Sequence, residues 1–513
     1  MNNNILSRIV LRNNKGYAWE NNNGLFYKSD ESPVFPSAID IDNIEILINQ
    51  ITSSFSFVYE NEDVIIACVD RIRSMPLFYY FDENNFIITD NTTFLDKEIS
   101  LELEGEFIDE FKLTGFVTKN NTLVKNLYQI EAGAYLVYNK RTHKCVIKQY
   151  FSFEREEYLP EKKESDYFND LDNLYVNLAK KIKKQVGDKQ CVVPLSGGYD
   201  SRLILYLLKE AGITNVVCFS YGIKSNYEKN ISKKIADLFN FKWIFVEYSE
   251  GLWLNTLNSP KIKEYFDFSG NYTSLPHIQD FPAIEFLVSK KIIDYDSYII
   301  PGHSYDFLAG SHLNKKIINK KQFSNEEINK LIFEKHYSLV IQKYDHRKIV
   351  NINNEILDNT EAFSIVDEWN WKERQSKFIV NSVRVYEFFD LKWLLPLWDK
   401  TLMDFWSKIP MEYCIERNLF KLHFNYRFNN NEEILKDNIS FSKKDAIKSL
   451  MKKWYFSSIL LNTITIIISY TSENYSLFGV VPRKKFIIES ILKKKTSINS
   501  FLSEYYIKQN KIK

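Results

Sequence analysis

Pro194-Leu195-Ser196-Gly197-Gly198-Tyr199-Asp200-Ser201 is the stretch that decides how the middle of this chain folds. It follows residues 190–193, a short apolar run rich in β-branched side chains, which predicts a buried strand. It precedes residues 202–209, whose apolar side chains recur at helical spacing before Gly212 ends the pattern. The serines and glycines are therefore predicted to form a tight turn between a strand and a helix.

A turn of this kind can bind an anion. Its two glycines let the backbone approach a ligand closely, and the N–H groups at the start of the helix attract negative charge. Asp200 would repel a bare phosphate, so we expect the loop to hold pyrophosphate together with Mg²⁺. No Gly-Lys-Ser/Thr follows, which excludes a Walker loop. The alternative is an ordinary glycine-rich turn.

Composition limits the classes of protein to consider. A chain of 513 residues predicts about two to four domains. The 67 basic and 66 acidic residues give a net charge of +1, which argues against nucleic-acid and membrane partners. Five scattered cysteines without Cys-x-x-Cys spacing indicate reduced core thiols. With a polar, uncharged start at residues 1–4, the expected location is the cytoplasm.

Residues 456–470 form one apolar stretch that bears on membrane contact. Six polar side chains interrupt it, and it is shorter than the ~20 residues of a spanning helix. We interpret it as a buried element of the C-terminal region. The alternative is contact with a membrane surface, helped by the five lysines between positions 443 and 453.

The first 150 residues are rich in predicted strands, among them 55–59 and 64–69 around a turn at 60–63. The run Asp70-Arg71-x-x-x-x-Pro76-Leu77-Phe78-Tyr79-Tyr80 resembles the N-terminal glutaminase domain of glutamine-hydrolysing asparagine synthetases. Residues 114–117 and 133–136 resemble the same family, in the same order. The resemblance implies an N-terminal nucleophile (Ntn) hydrolase-like α/β/β/α sandwich over residues 1–150.

The family's nucleophile is missing from this domain. Its members carry a cysteine directly after the initiator methionine, whereas this chain has Asn2. A carboxamide cannot replace the thiolate that attacks glutamine. We therefore expect a retained fold without glutaminase activity, as in β-lactam synthetases, which also lack the cysteine.

Strands and helices alternate in the second domain, which we place at residues 165–430 after a charged linker at 153–165. The strands at 190–193, 216–222, 242–246 and 297–300 predict a parallel sheet with ligands beyond its carboxyl edge. The resemblance implies an ATP pyrophosphatase domain of the adenine nucleotide alpha hydrolase-like class. Residues 431–513 are expected to form a helical C-terminal extension, so the chain as a whole is of the α/β class.

The segment Pro301-Gly302-His303-Ser304-Tyr305-Asp306 resembles the second ligand-binding segment of that family. The resemblance implies that Asp306 meets Mg²⁺-pyrophosphate and that Gly302 lies at the nucleotide. Phe307 departs from the family, which has an acidic residue there. Asp306 could instead be a helix cap, and the roles of His303 and His277 stay open.

The last matching segments carry charged side chains. Aligned on Pro396, the family's catalytic or substrate-orienting glutamate falls on Lys392, and Glu387 could replace it only if the backbone runs differently. Arg417 and Lys421 stand where relatives place a lysine and an arginine that neutralise the reaction's charge. Alternatively, both are surface cations on a helix.

Together, the resemblance implies an ATP-dependent ligase, with ATP and Mg²⁺ as cofactors, that adenylates a small-molecule carboxylate and forms an amide with ammonia or an amine, as in asparagine biosynthesis. Pyrophosphate would be bound by Ser196, Gly197, Gly198 and Ser201, and the nucleotide would be in contact with Leu195, Tyr221 and Gly302. Mg²⁺ would be held by Asp200 and Asp306, and catalysis would be assisted by Arg417 and Lys421. The alternatives are an amidotransferase acting on a sugar or peptide carboxylate and a nucleotide-binding scaffold without activity. The carboxylate, the nitrogen donor and a homodimeric state stay open.

Overall fold

The computed structural model describes residues 5–31, 39–155, 162–226, 228–341, 344–350, 356–428 and 479–510. Within them the chain is an α/β protein with a parallel sheet, as predicted. Asn2, which stands in place of the nucleophile, and the apolar stretch 456–470 lie outside the described residues.

Two sheets are built from the first third of the chain. Their strands are β1 (Leu6–Val10), β2 (Glu20–Asn22), β3 (Leu25–Ser29), β4 (Phe55–Glu60), β5 (Val64–Val69), β6 (Phe78–Phe81), β7 (Asn85–Thr89), β8 (Leu127–Gln129), β9 (Ala134–Asn139) and β10 (Lys144–Gln149). An antiparallel six-stranded sheet has the order β10-β9-β5-β4-β3-β2. A four-stranded sheet has the order β1-β7-β6-β8, in which β1 and β7 are parallel.

Successive side chains of each strand point to opposite faces of its sheet. One face of each sheet therefore packs on the other sheet, and the opposite face packs on helices. Val58 and Ile65 of the six-stranded sheet share one core with Phe86 and Ile88 of the other. The outer face of the six-stranded sheet packs on α1 (Ile44–Gln50). The outer face of the four-stranded sheet packs on α2 (Leu95–Glu98) and α3 (Gly105–Thr114). The order of layers is helix, sheet, sheet, helix.

A five-stranded parallel sheet forms the centre of the next part, as the alternation of strands and helices predicts. Its strands are β11 (Cys191–Pro194), β12 (Val216–Gly222), β13 (Lys242–Glu247), β14 (Tyr298–Ile299) and β17 (Lys392–Trp393). They lie in the order β13-β12-β11-β14-β17. A separate antiparallel pair consists of β15 (Gln322–Ser324) and β16 (Ile356–Asp358). The central position of β11 places the loop after it in the middle of the carboxyl edge.

Helices cover this sheet and fill the rest of the described chain. They are α4 (Glu164–Val186), α5 (Tyr199–Glu210), α6 (Glu228–Phe239), α7 (Glu250–Asn258), α8 (Pro260–Gly270), α9 (Phe281–Ser289), α10 (Tyr305–Leu308), α11 (Lys315–Asn319), α12 (Asn325–His336), α13 (Asn359–Trp369), α14 (Arg384–Phe388), α15 (Lys400–Trp406), α16 (Met411–Cys414) and α17 (Asn418–Arg427). Two further helices, Arg483–Lys493 and Ile498–Gln509, follow in residues 479–510. No helix in the described ranges is long and apolar enough to cross a membrane.

A ten-residue π-helix, Asn370–Ile379, continues directly from α13. Its wider turn pairs each N–H with the carbonyl five residues earlier, and such turns are rare and occur frequently at functional sites. The Glu373 carboxylate accepts the Lys119 N–H at 3.0 Å, and Lys377 forms a buried ion pair with Glu373 at 2.5 Å. The π-helix is thereby bonded to the loop that follows α3 in the N-terminal part of the chain.

The predicted linker is buried where it begins. Phe153 and Arg155 are buried, although their surroundings in the sequence are charged. The Arg155 guanidinium forms an ion pair with Asp367 at 2.8 Å and donates to the Leu308 carbonyl at 3.0 Å. Residues 156–161 lie outside the described ranges. The domain boundaries themselves stay a prediction.

One apolar core runs from the N-terminal helices to the last helix. The ring of Phe111 in α3 stacks on Tyr506 with 5.4 Å between centroids. The Tyr506 hydroxyl accepts the Tyr272 N–H at 3.2 Å. A methyl group at Gly270 would lie 2.4 Å from the Tyr506 hydroxyl, so only glycine allows this approach. The helix Ile498–Gln509 therefore packs on a core that also contains side chains of α3, which precedes the parallel sheet in the sequence.

Candidate functional site

The loop between β11 and α5 has the predicted strand–turn–helix form. Gly198 caps α5 with an extended backbone. The buried Leu195 is tied to β12: its N–H donates to the Phe219 carbonyl at 2.8 Å, and its carbonyl accepts the Ser220 hydroxyl at 2.6 Å. These bonds hold the loop at the carboxyl edge of the parallel sheet.

Hydroxyl groups and an arginine brace the loop from within. The Ser201 hydroxyl donates to the Ser196 carbonyl at 3.1 Å and lies 3.2 Å from the Gly198 carbonyl. The Ser196 hydroxyl accepts the Gly198 N–H at 3.2 Å. The buried Arg202 donates to the Gly197 carbonyl at 2.8 Å. Ser196, Gly197, Gly198 and Ser201 are therefore held in one preorganised turn.

Asp200 and Asp306, which are 106 positions apart, meet at this turn. The Asp306 N–H donates to Asp200 Oδ2 at 3.0 Å. Burial and the charge of Asp306 raise the pKa of Asp200 to about 8, although Arg417 acts in the opposite direction. Ser304, not Asp306, precedes α10 as its cap residue, so the alternative of a helix cap is wrong.

The two carboxylates fit a magnesium ion. Asp200 Oδ1 is buried and has no hydrogen-bond partner in the described part of the chain. A divalent cation would bind this oxygen. Its positive charge would also offset the repulsion between the two neighbouring carboxylates. Mg²⁺ commonly takes one or two protein carboxylates and completes its shell with phosphate and water.

Gly302 brings the second segment against the loop. A methyl group at this position would lie 2.9 Å from the Ser201 nitrogen and 3.0 Å from the Asp200 carbonyl carbon. Both atoms belong to the backbone and cannot move aside easily. The absence of a side chain at Gly302 therefore allows the two segments to touch.

Of the two predicted cations, Arg417 reaches the loop. It precedes α17 in a left-handed conformation, and its guanidinium carbon lies 5.8 Å from the centre of the Tyr199 ring. Its charge also acts on Asp200. Lys421 lies one turn further along α17, is half-buried, and makes no hydrogen bond or ion pair with described residues.

Two further cations interact with the charge of Asp306 from elements that sequence analysis did not associate with the site. Burial lowers the pKa of Arg374 in the π-helix, and the charge of Asp306 opposes this effect. Its guanidinium forms no hydrogen bond or ion pair within the described ranges. Burial lowers the pKa of Lys335 in α12 to about 8, against the charges of Asp367 and Asp306. A partly buried guanidinium that interacts with the charge of Asp306 and has no partner among the described residues is suited to an anion.

A second polar cluster lies around Asp280, just before α9. Its carboxylate accepts hydrogen bonds from the hydroxyls of Tyr221 and, at 2.7 Å, Tyr386. Nε2 of His277 lies 3.2 Å from Asp280 Oδ1. Burial raises the pKa of Asp280, but His277 and the two hydroxyls outweigh it and hold the pKa at about 2. The sequence analysis expects Tyr221 at the nucleotide. In the structure its hydroxyl donates a hydrogen bond to Asp280.

His303 lies between the two clusters. Its Nδ1 is 3.4 Å from the Ser382 hydroxyl. Burial and the nearby His277 lower its pKa to about 4, so the ring is neutral near pH 7. His277 and His303, whose roles the sequence left open, therefore lie near each other.

Lys392 and Glu387, the two residues considered at the position of a catalytic glutamate, have different surroundings. The Lys392 ammonium lies 5.8 Å from the centres of the Tyr17 and Tyr298 rings. Glu387 is buried, accepts a bond from Trp393 Nε1 at 2.9 Å, and pairs with Arg384 at 2.6 Å. Glu387 is thus engaged in a structural network.

Comparisons with known proteins give only distant likenesses. No protein-family model and no curated protein matches the sequence. Among solved structures, the NMN synthetase of Francisella tularensis is 12% identical over 30% of this chain and 60% of its own, with a TM-score of 0.21. The NH3-dependent NAD synthetase of Campylobacter jejuni is 15% identical over 30% and 62%, with a TM-score of 0.20.

A tRNA thiolase of Methanococcus maripaludis is 12% identical over 55% of this chain and 80% of its own, also with a TM-score of 0.20. The chain thus spans about three-fifths of the length of the two synthetases. Likenesses with such low TM-scores support no conclusion about fold or activity.

Proposed function

We propose that this protein is an ATP-dependent ligase that adenylates a carboxylate, releases pyrophosphate, and forms an amide with ammonia or an amine. The observation that carries the proposal is the buried oxygen of Asp200 beside Asp306, on a loop with the sequence Ser-Gly-Gly-Tyr-Asp-Ser. This oxygen has no hydrogen-bond partner among the residues that the structure describes. A carboxylate pair of this kind suits a ligand that brings both phosphate and a divalent cation.

The chemistry follows from charge. A carboxylate resists nucleophiles because it is anionic and lacks a leaving group, and transfer of AMP to it supplies one. In this proposal Asp200 and Asp306 would hold Mg²⁺, and the ion would neutralise phosphate charge. The loop N–H groups and Arg417 bind the departing pyrophosphate, and the braced turn keeps the α-phosphorus in line with the carboxylate.

The resemblance to asparagine synthetases supports a more specific form of the proposal. In it, residues 1–150 are a glutaminase-like domain without its nucleophile, 165–430 are the ATP pyrophosphatase domain, and 431–513 are a helical extension. The helix–sheet–sheet–helix order of the first part supports this assignment. Aspartate is then the first carboxylate to test.

A second candidate is a nucleotide-binding scaffold without catalysis. It is favoured by Lys392, which stands where relatives have a carboxylate, and by the engagement of Glu387 with Arg384 and Trp393. A ligand would still bind at the loop, but no pyrophosphate would be released.

Pyrophosphate release separates these functions. The full-length protein is incubated with Mg²⁺-ATP and one carboxylate at a time: aspartate, glutamate, a uronic acid and a short peptide. Release with aspartate alone supports the asparagine synthetase type, whereas release with the uronic acid or the peptide supports an amidotransferase on those substrates. ATP binding without release for any carboxylate supports the scaffold.

Replacing Arg374 by methionine is expected to lower pyrophosphate release about 100-fold, the usual effect of losing one group that stabilises developing charge. Lys372→Met is the matched control, because it removes a cation from the same π-helix whose partner is Glu131, 3.5 Å away. Arg374→Lys should restore part of the rate. Equal losses for Arg374→Met and Lys372→Met would instead mean that the π-helix had been distorted.

A further inference from the structure

We infer that His277, oriented by Asp280, accepts the proton of the attacking amine in the second half of the reaction. The inference rests on the proposed function and deepens it, because it names the nitrogen substrate as a free ammonia or primary amine that must lose a proton. The amine nitrogen forms a bond to the acyl carbon, and the bond from that carbon to the AMP oxygen breaks with its electron pair leaving on AMP. The surplus proton passes from nitrogen to His277.

The pairing with Asp280 decides which ring nitrogen is available. Asp280 offers only acceptor oxygens at its low pKa, so the proton of neutral His277 lies on Nε2, 3.2 Å from Asp280 Oδ1. Nδ1 then presents a lone pair and has no hydrogen-bond partner in the described ranges. The side chain is 27% exposed and can be reached by a ligand. This is the arrangement of a base held by a carboxylate.

The position of His277 connects it to the loop. Gly302 touches Asp200 and Ser201, and the next residue, His303, lies close enough to His277 for their charges to interact. Tyr221, at the carboxyl end of β12, shares Asp280 with His277. Asp280 and His303 are thus the titratable groups next to His277, and Tyr221 and Tyr386 bind the same Asp280 carboxylate. The Tyr265 hydroxyl donates to the His277 carbonyl at 2.7 Å.

A second histidine–aspartate pair in this chain is buried and differs from that of His277 and Asp280. Nε2 of His423 lies 3.0 Å from Asp172 Oδ1, and its side chain is only 2% exposed, packed against aromatic rings. His277 differs in its exposure and in its place beside the carboxyl edge of the sheet.

The experiment separates the two half-reactions in the full-length protein. His277→Ala is compared with wild type and with His143→Asn, a change in a distant hairpin turn whose left-handed backbone asparagine tolerates. The carboxylate is the one that gives most pyrophosphate release in the panel. Adenylation is measured by trapping with hydroxylamine, which is already unprotonated near neutral pH. Amide formation is measured with ammonium chloride at one fixed pH, with and without added imidazole.

We expect His277→Ala to adenylate like wild type and to form amide about 100-fold more slowly, the usual contribution of a general base. Added imidazole should restore part of its rate, which a structural role would not allow. Equal losses of adenylation and amide formation, or unchanged amide formation, would overturn the inference. Absence of pyrophosphate release by wild type would overturn the proposed function first.

Discussion

Asp200→Asn is expected to stop Mg²⁺-ATP turnover while leaving the fold intact. An amide has no charge to offer the metal ion, and losing this ligand should weaken charge neutralisation by several kcal/mol, which corresponds to at least about a 100-fold loss of rate. We expect no loss of folding stability, because the Asp200 carboxyl is buried beside Asp306 and a neutral side chain of equal size removes that repulsion. Pyrophosphate release and urea unfolding measure the two effects. Wild-type turnover of Asp200→Asn would contradict the proposed role of the loop.

Asp306→Asn shows whether both carboxylates serve one ion. If they do, the double variant should be little slower than the slower single variant, because the second change removes a ligand from a site already lost. The cycle is measured as pyrophosphate release at several Mg²⁺ concentrations. Fully additive losses, or a harmless Asp306→Asn, would remove Asp306 from the metal site.

Arg155→Met is expected to lower the free energy of unfolding by about 3–5 kcal/mol, because it leaves a buried carboxylate without its counter-charge. Asp367 is fully buried, and Asp367 Oδ1 has no hydrogen-bond partner in the described part of the chain. Burial already raises the pKa of Asp367, and Arg155 is the group that opposes this effect most. Urea unfolding followed by circular dichroism measures the loss.

Two variants make this prediction specific. Arg155→Met combined with Asp367→Asn should recover much of the stability, since the double change removes the unpaired charge. Lys233→Met, in the exposed pair with Asp237 at 2.8 Å, should cost less than about 1 kcal/mol. A loss for Arg155→Met no larger than that for Lys233→Met would show that the buried pair contributes little.

Local patterns allowed the strand–turn–helix at residues 190–209 and the parallel sheet to be predicted. In both cases the signal lies in neighbouring residues: an apolar run, glycines, and the return of apolar residues at helical spacing. The meeting of Asp200 and Asp306 also followed, because both come after strands whose carboxyl ends share one edge. Their roles as metal ligands stay a prediction.

The features that were missed depend on partners far away in the sequence. Arg155 lies in a charged segment and looks solvated, but its partner Asp367 is 212 positions away. Arg374 reaches the site through a π-helix, and no spacing in residues 370–379 distinguishes this helix from an α-helix. For His277 a local signal existed, since Asp280 follows it by three positions.

The contact between Phe111 and Tyr506 affects how this protein folds during synthesis. Roughly 400 residues separate the two rings, so at about 5–20 residues per second a ribosome needs roughly 20–80 s to deliver the second after the first. During that time the apolar face of α3 that Tyr506 covers stays open to water or to a chaperone. Nascent chains stalled before the helix Ile498–Gln509 should therefore engage chaperones longer than chains released at full length.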